Sequence, residues 1–314
     1  MGIMARTKRR VPGIAWLLVA LFLFFSAFAT RFASAPNLVN IGSQSSILLL
    51  LALPMTLIIM TEGLDLSMGA VLGLSGVVLA LLLVNGHALP VAFAAALAVG
   101  TLFGTANGVL VVALGMPPFV ATLGMLGVAE GIALAMTDGQ SVSGIGTVLP
   151  RMYASRWLGI PFAILVALTV YAIFHFLLYH TRIGTYVFAI GGNRDALVLA
   201  GVPVNRYHVL IYAIGGLMAG AGAFLLTGRM SVGHPTAAIG MEFDAMVAVI
   251  VGGTKLEHGD GWLPGTVLGV LTIGVLKNGL NVMAVPSSLQ IASIGMLVIV
   301  ALLIDSLRGL RGRR

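Results

Sequence analysis

An all-α, polytopic membrane fold is what the sequence predicts, on three observations. Of its 314 residues, 59% are hydrophobic and only 9% charged, with a mean hydropathy of +1.08. A soluble domain averages about 25% charge, so this chain lacks the polar side chains to cover a globule. Apolar runs of roughly 20 residues, enough to cross a hydrocarbon core of about 30 Å, recur along its whole length. Glycine, at 41 residues, is nearly twice as frequent as the usual ~7%, which in a membrane chain points to helices packed backbone to backbone. These properties exclude an ordinary cytosolic enzyme, a disordered scaffold and a secreted disulfide domain. With no cysteine, neither a disulfide framework nor a thiolate metal site is available.

Taken in order, the apolar runs fall near residues 13–30, 41–60, 67–84, 88–113, 117–136, 160–179, 207–227, 243–253, 264–283 and 289–306. The eighth is too short for a straight span. Arg6, Lys8, Arg9 and Arg10 precede the first run, and Arg308, Arg311, Arg313 and Arg314 follow the last. Both termini therefore read as cytoplasmic by the positive-inside rule, which requires an even number of spans. Alternation then puts Arg182, Arg194, Arg206 and Lys255 inside as well, and only Arg31, Arg151, Arg156 and Arg229 outside. Ala33-Ser34-Ala35 imitates a signal-peptide cleavage site, but the apolar run from Gly13 to Ala29 exceeds the usual 7 to 15 residues. A retained first span is expected. The net charge of +7 is spread over the ends and short segments, unlike the clustered face of a nucleic-acid binder; lipid, not nucleic acid, is the expected surrounding.

Two stretches interrupt apolar runs in a similar way: Glu62 to Gly69, leading into Gly69-x-x-x-Gly73, and Gly259 to Gly265, leading into Gly265-x-x-x-Gly269. An offset of 196 aligns Gly63, Gly69 and Gly73 with Gly259, Gly265 and Gly269. This suggests an internal repeat with an unwound joint before a closely packed helix. Backbone groups freed at a joint find no partner in lipid, so Asp65 and Ser67 are expected to cap the helix that begins there. Asp65 reads as a capped helix start or as a group in gating or substrate passage. Gly100-x-x-x-Gly104-x-x-x-Gly108 and Gly216-x-x-x-Gly220 read as packing seams.

Glu130 and Lys277 lie at the same depth of the fifth and ninth spans, and each is costly there unless paired or wetted. An ion pair between them, a water-filled vestibule and a proton relay are the three readings; a partnered pair is the expectation. His175, near the inner end of the sixth span, reads as an interfacial residue.

Ala189 to Val204 forms a cytoplasmic segment in which Asn193 is a good N-cap, Asp195 falls in the first turn and Gly201 stands where a C-cap belongs. A two-turn helix follows, with Ala196 and Ala200 on one shallow face that a partner could clasp. No G-x-x-x-x-G-K-[ST] occurs, nor H-E-x-x-H, a zinc cluster or a nucleophile elbow. The chain is therefore expected to be no enzyme and to carry no cofactor. Uphill transport would draw on an ion gradient or on a separate ATPase.

Thr61-Glu62-Gly63-Leu64-Asp65-Leu66-Ser67-Met68-Gly69 resembles the G-G-I-D-L-S-V-G signature of ribose-type permeases of ABC sugar importers. Phe119 to Gly124 resembles their P-F-I-A-T-L-G, and Thr181 to Gly201 their T-R-x-G and A-x-G-G-N stretches. Pro235 to Asp244 with Gly252-Gly253-Thr254, and Asn278-Gly279-Leu280-Asn281, match further motifs in the same order from about residue 14 to 305. The resemblance implies a single permease domain over residues 1–314 in a bacterial inner membrane, a homodimer of ten-span subunits, two cytoplasmic ATPase subunits and a periplasmic sugar-binding protein. It also implies a coupling helix in the loop 189–204, with Gly191, Gly192, Asn193, Ala196, Ala200 and Gly201 facing the ATPase. Gly63, Asp65, Ser67, Thr122, Glu242 and Asp244 are implied along the gate or translocation path.

Glu62, Lys255, Glu257 to Gly261 and Lys277 depart from the family pattern; Glu62 and Lys255 could form a compensated pair across the two joints. The expectation is a conduit for an ATP-driven importer of a pentose or hexose, branched-chain amino acids fitting less well. The rival is a proton-coupled secondary transporter or channel working through Glu130, Asp65 and His175.

Overall fold

The computed structural model describes residues 11–255 and 259–296, and they form an all-helical bundle. In chain order the elements are α1 (Val11–Phe28), α2 (Ala35–Met60), α3 (Met68–Val84), α4 (Leu89–Val112), α5 (Pro118–Thr137) and α6 (Val148–Ala154). A two-residue-stranded hairpin follows, β1 (Arg156–Trp157) against β2 (Ile160–Pro161), antiparallel. Then come α7 (Phe162–His180), α8 (Arg182–Leu199), α9 (Val204–Met230), α10 (Met241–Val251) and α11 (Leu263–Val282). Residues 287–296 are helical again.

Among the described residues, α2, α4, α5, α7, α9 and α11 are each long and apolar enough to cross a membrane, and α1 and α3 are shorter apolar helices. At 11 residues α10 is too short to cross, as its sequence implied. The second half of the expected tenth span, the basic residues of both tails, Glu257 and His258 lie outside the described residues.

Prolines set several helix starts. Pro36, Pro90, Pro118 and Pro264 each stand in a first turn, where a missing N–H costs nothing. Helix α2 is the axis of the bundle: every residue from Ser45 to Met60 is buried, packed by α7, α9, α10 and α11. Its hydrophobicity runs round the whole helix because all of its faces meet protein.

The two small-residue stripes meet each other. Gly100 and Gly104 of α4 lie against Gly216 and Tyr212 of α9, and a Cβ at Gly220 would sit 2.6 Å from the Ala96 carbonyl oxygen. Where Gly100 faces Gly216 the two helices approach so closely that only glycine fits on either side. By contrast Gly124, Gly127 and Gly131 of α5 have open space around them.

Both joints are non-helical, at residues 61–67 and, within the described residues, at 252–262. Two features exceed the sequence expectation. The segment between α5 and α7 carries α6 and the hairpin, where Leu158 and Gly159 take φ of 53° and 80°, the left-handed values that a two-residue hairpin loop needs. The loop expected to hold a two-turn helix is also longer and more ordered: α8 runs 18 residues and is interrupted at Asn193, whose φ of −163° and ψ of 92° leave the helical region.

Candidate functional site

The first joint gathers a buried polar knot. Asp65 is 1% exposed, and its Oδ1 accepts the Ser67 amide at 2.9 Å and the Ser67 hydroxyl at 2.7 Å. Asn107 of α4 donates through Nδ2 to Ser67 Oγ at 2.7 Å and to both Asp65 oxygens at 3.3 Å. Asp65 therefore closes a tight turn just ahead of α3, while the Ser67 hydroxyl serves Asp65 and makes no cap to the helix. That corrects the expectation that either side chain would cap. Asn107, a lone amide inside a glycine-rich span, was hidden by its own seam; a polar residue at membrane depth was the signal for it.

The rest of this joint is held by α9. His208 Nε2 lies 3.1 Å from the Thr61 carbonyl oxygen, and the Tyr212 hydroxyl sits 3.3 Å from both the amide and the carbonyl oxygen of Leu64. A Cβ at Gly63 would lie 2.7 Å from that hydroxyl, so the glycine leaves room for the tyrosine to bond the joint.

Residues 233–242 descend along α3: Gly233 lies against Ala80, the Pro235 carbonyl oxygen against Gly73, and the Glu242 carboxylate against Gly69. Glu242 is 1% exposed and accepts the Gly240 amide at 3.0 Å. Its carboxylate thus lies where α3 and α10 both begin, and two helix N-termini supply the positive potential that a buried acid needs. Asp244, one turn into α10, is 6% exposed.

Lys277 donates from Nζ to Asp244 Oδ2, not to Glu130. The side chain of Lys277 is 39% exposed and that of Asp244 only 9%. Glu130 is half-buried on α5 and has no hydrogen bond or ion pair to another described residue. The expected Glu130–Lys277 pair is therefore overturned; equal depth did not bring α5 and α11 together. Beside Lys277, Asn278 exchanges amide bonds with Asn37 of α2 at 2.8 and 3.1 Å. The Glu62–Lys255 pair is likewise not formed: Lys255 Nζ lies 3.9 Å from Asp260 Oδ2, within its own joint. Thr122 is buried and spends its hydroxyl on the Pro118 carbonyl one turn back.

The kink in α8 is a true helix start. Asn193 Oδ1 accepts the Ala196 amide at 2.9 Å, and Gly201 closes the helix at φ 77°, the left-handed C-cap. Gly192, Asn193, Ala196, Ala200 and Gly201 are exposed, while Gly191 is buried. At the tip Val198 is 56% and Leu199 89% exposed. A groove of about 330 Å³ on α7, lined by Tyr171, Ala172, His175, Phe176 and His180, includes none of the other candidate residues.

Asn107→Leu is expected to destabilise the protein by about 1–3 kcal/mol, because Asp65 and Ser67 then lose a buried donor. Thermal unfolding in detergent measures it, with Val109→Leu on the exposed side of α4 as the control. Equal melting of the two variants would refute a structural role for the knot.

Residues 37–306 match the family described as branched-chain amino acid transport system / permease component. The chain is 36% identical over 311 residues to the ribose import permease protein RbsC of Escherichia coli (strain K12), covering 95% of this chain and 97% of that protein. It is 37% identical to the protein of the same name from Bacillus subtilis (strain 168), over 92% of this chain and 90% of that one. It is 33% identical to the D-allose transport system permease protein AlsC of Escherichia coli (strain K12), over 93% and 90%. No solved structure matches the chain.

Proposed function

The chain belongs to the family of branched-chain amino acid transport system permease components, and from that premise we propose that it is the membrane subunit of an ATP-driven importer of a small sugar. The observation that carries the reading is the capped helix from Asn193 to Gly201. It opens on the polar Asn193, Arg194 and Asp195 and presents Val198 and Leu199, 56% and 89% exposed, near its other end. An apolar tip on a rigid, short helix is the surface a separate ATPase would hold.

In this reading residues 1–314 form one permease domain with ten spans and both termini in the cytoplasm of a bacterial cell, in the inner membrane. Residues 189–204 are the ATPase-facing loop. The subunit pairs with a second copy, takes its sugar from a periplasmic binding protein and hydrolyses nothing itself. Relatives named for ribose and D-allose favour a pentose or hexose over an amino acid. ATP binding closes the ATPase, which displaces the Asn193 helix and shifts the bundle between two packings; the permease need only be packed differently in each.

Gly63, Asp65, Ser67, Glu242 and Asp244 hold the first joint and the start of α10 in this mechanism. Thr122 contributes packing between α5 and α3. Reconstitution into vesicles with the ATPase and binding protein from the same source tests the proposal. Uptake of labelled ribose or allose should require ATP and the binding protein and survive a protonophore. Uptake that runs without ATP and collapses with the protonophore would make it a proton-coupled transporter.

A further inference from the structure

Three backbones converge at the buried end of α8. Gly191 sits so close to the Met60 carbonyl oxygen, the last residue of α2, and to Gly259 of the second joint that a Cβ at Gly191 would overlap both. A Cβ built at Gly259 would in turn lie 2.7 Å from the Phe188 carbonyl oxygen of α8, and Gly261 rests on the Met60 side chain. The two joints, 196 residues apart in sequence, are therefore neighbours in space, and α8 is wedged against both. The next residue is different: a Cβ at Gly192 meets nothing within 4 Å. At Asn193 the exposed helix begins, and its cap and the Arg194 bond to Asn205 fix its angle to the rest of the chain.

We propose that Gly191 is the positioning residue through which displacement of the exposed helix reaches both joints at once, so that α2, the second joint and the stem of α8 move as one body. This rests on the proposed function, because it takes the exposed helix as the part the ATPase moves. Its physical basis is contact geometry. Backbone pressed on backbone has no side-chain torsion to absorb a push, whereas a junction made through flexible side chains would dissipate it. Gly184, earlier in the same stem, is packed as tightly against the Leu178 carbonyl of α7, so the stem is braced at its other end too.

The test compares a wedged and an open glycine in the reconstituted transporter. Gly191→Ala should lower sugar transported per ATP hydrolysed by at least about tenfold, with the ATPase still bound and hydrolysing. Gly127→Ala, on the open face of α5 where a Cβ meets nothing within 4 Å, should leave transport, hydrolysis and binding unchanged. A purely structural role would lower yield and melting temperature and leave the ratio as it was. Equal ratios for the two variants and the wild type overturn the proposal. If the wild-type chain binds no ATPase, it is the functional reading that fails, and the ratio is never reached.

A second measurement does not depend on Gly191→Ala folding. Because the chain has no cysteine, spin labels can be placed at Gly192→Cys and Lys255→Cys, both exposed positions. Their separation should change by less than about 2 Å between the nucleotide-free and ATP-bound complexes. A change on the order of a helical turn, ~5 Å, shows that stem and joint move apart and overturns the proposal.

Discussion

Ala200→Arg is expected to abolish ATP-driven uptake and to strip the ATPase from the membrane, while the permease inserts normally. The substitution is harmless to the fold. Ala200 is exposed, its amide already bonds the Ala196 carbonyl at 3.0 Å, and a cation at a helix C-terminus is favourable. In a partner's cleft the same side chain becomes an unpaired buried charge, costing about 3–5 kcal/mol. That corresponds to roughly 10² to 4 × 10³ in affinity. Co-purification of the ATPase with each permease variant reads the loss directly. A variant that retains its ATPase and transports normally would remove the coupling role from this helix.

Lys277→Leu should be the most destabilising single change within the spans, by about 3–5 kcal/mol, because it strands the Asp244 carboxylate in the bundle. Asp244→Leu should cost less, since Lys277 is 39% exposed and its long stem can carry the ammonium toward water. The double replacement should recover much of the loss, and a double-mutant cycle isolates the coupling. Glu130→Leu should leave stability nearly unchanged. Additive losses for Asp244 and Lys277, or a coupling of Lys277 to Glu130, would contradict the pairing seen here.

Local chemistry made much of this architecture legible. Nine apolar runs correspond to helices, both joints are where glycine and aspartate placed them, and Asn193 caps the helix it was expected to cap. These features depend on residues within a few positions of one another. What escaped depends on which helices are neighbours. Depth along the bilayer ranked Glu130 as a partner for Lys277, but depth says nothing of azimuth, and the carboxylate that faces Lys277 belongs to the short α10.

The knot at Asp65 was half visible, because its third member, Asn107, sits 42 residues away on α4. Likewise nothing local distinguishes Gly191 from Gly192, although one is wedged between two backbone segments and the other is open. Sequence periodicity shows which face of a helix is small; it does not show what leans on it.

The contact between α4 and α9 has a consequence for how this chain can diverge. A methyl group at Gly100 runs into Gly216, and one at Gly216 runs into Gly100. No smaller residue exists to make room on the other side, so neither position can drift first and no compensating change restores the fit. The seam is an epistatic dead end, and neutral variation must accumulate elsewhere, on outward faces such as that of the later part of α5, where Gly127 and Gly131 have free space. Among homologues, α4 and α9 should thus change together rarely and the later part of α5 often, so that lineages differ in the outward-facing skin of the bundle while sharing this one inseparable pair.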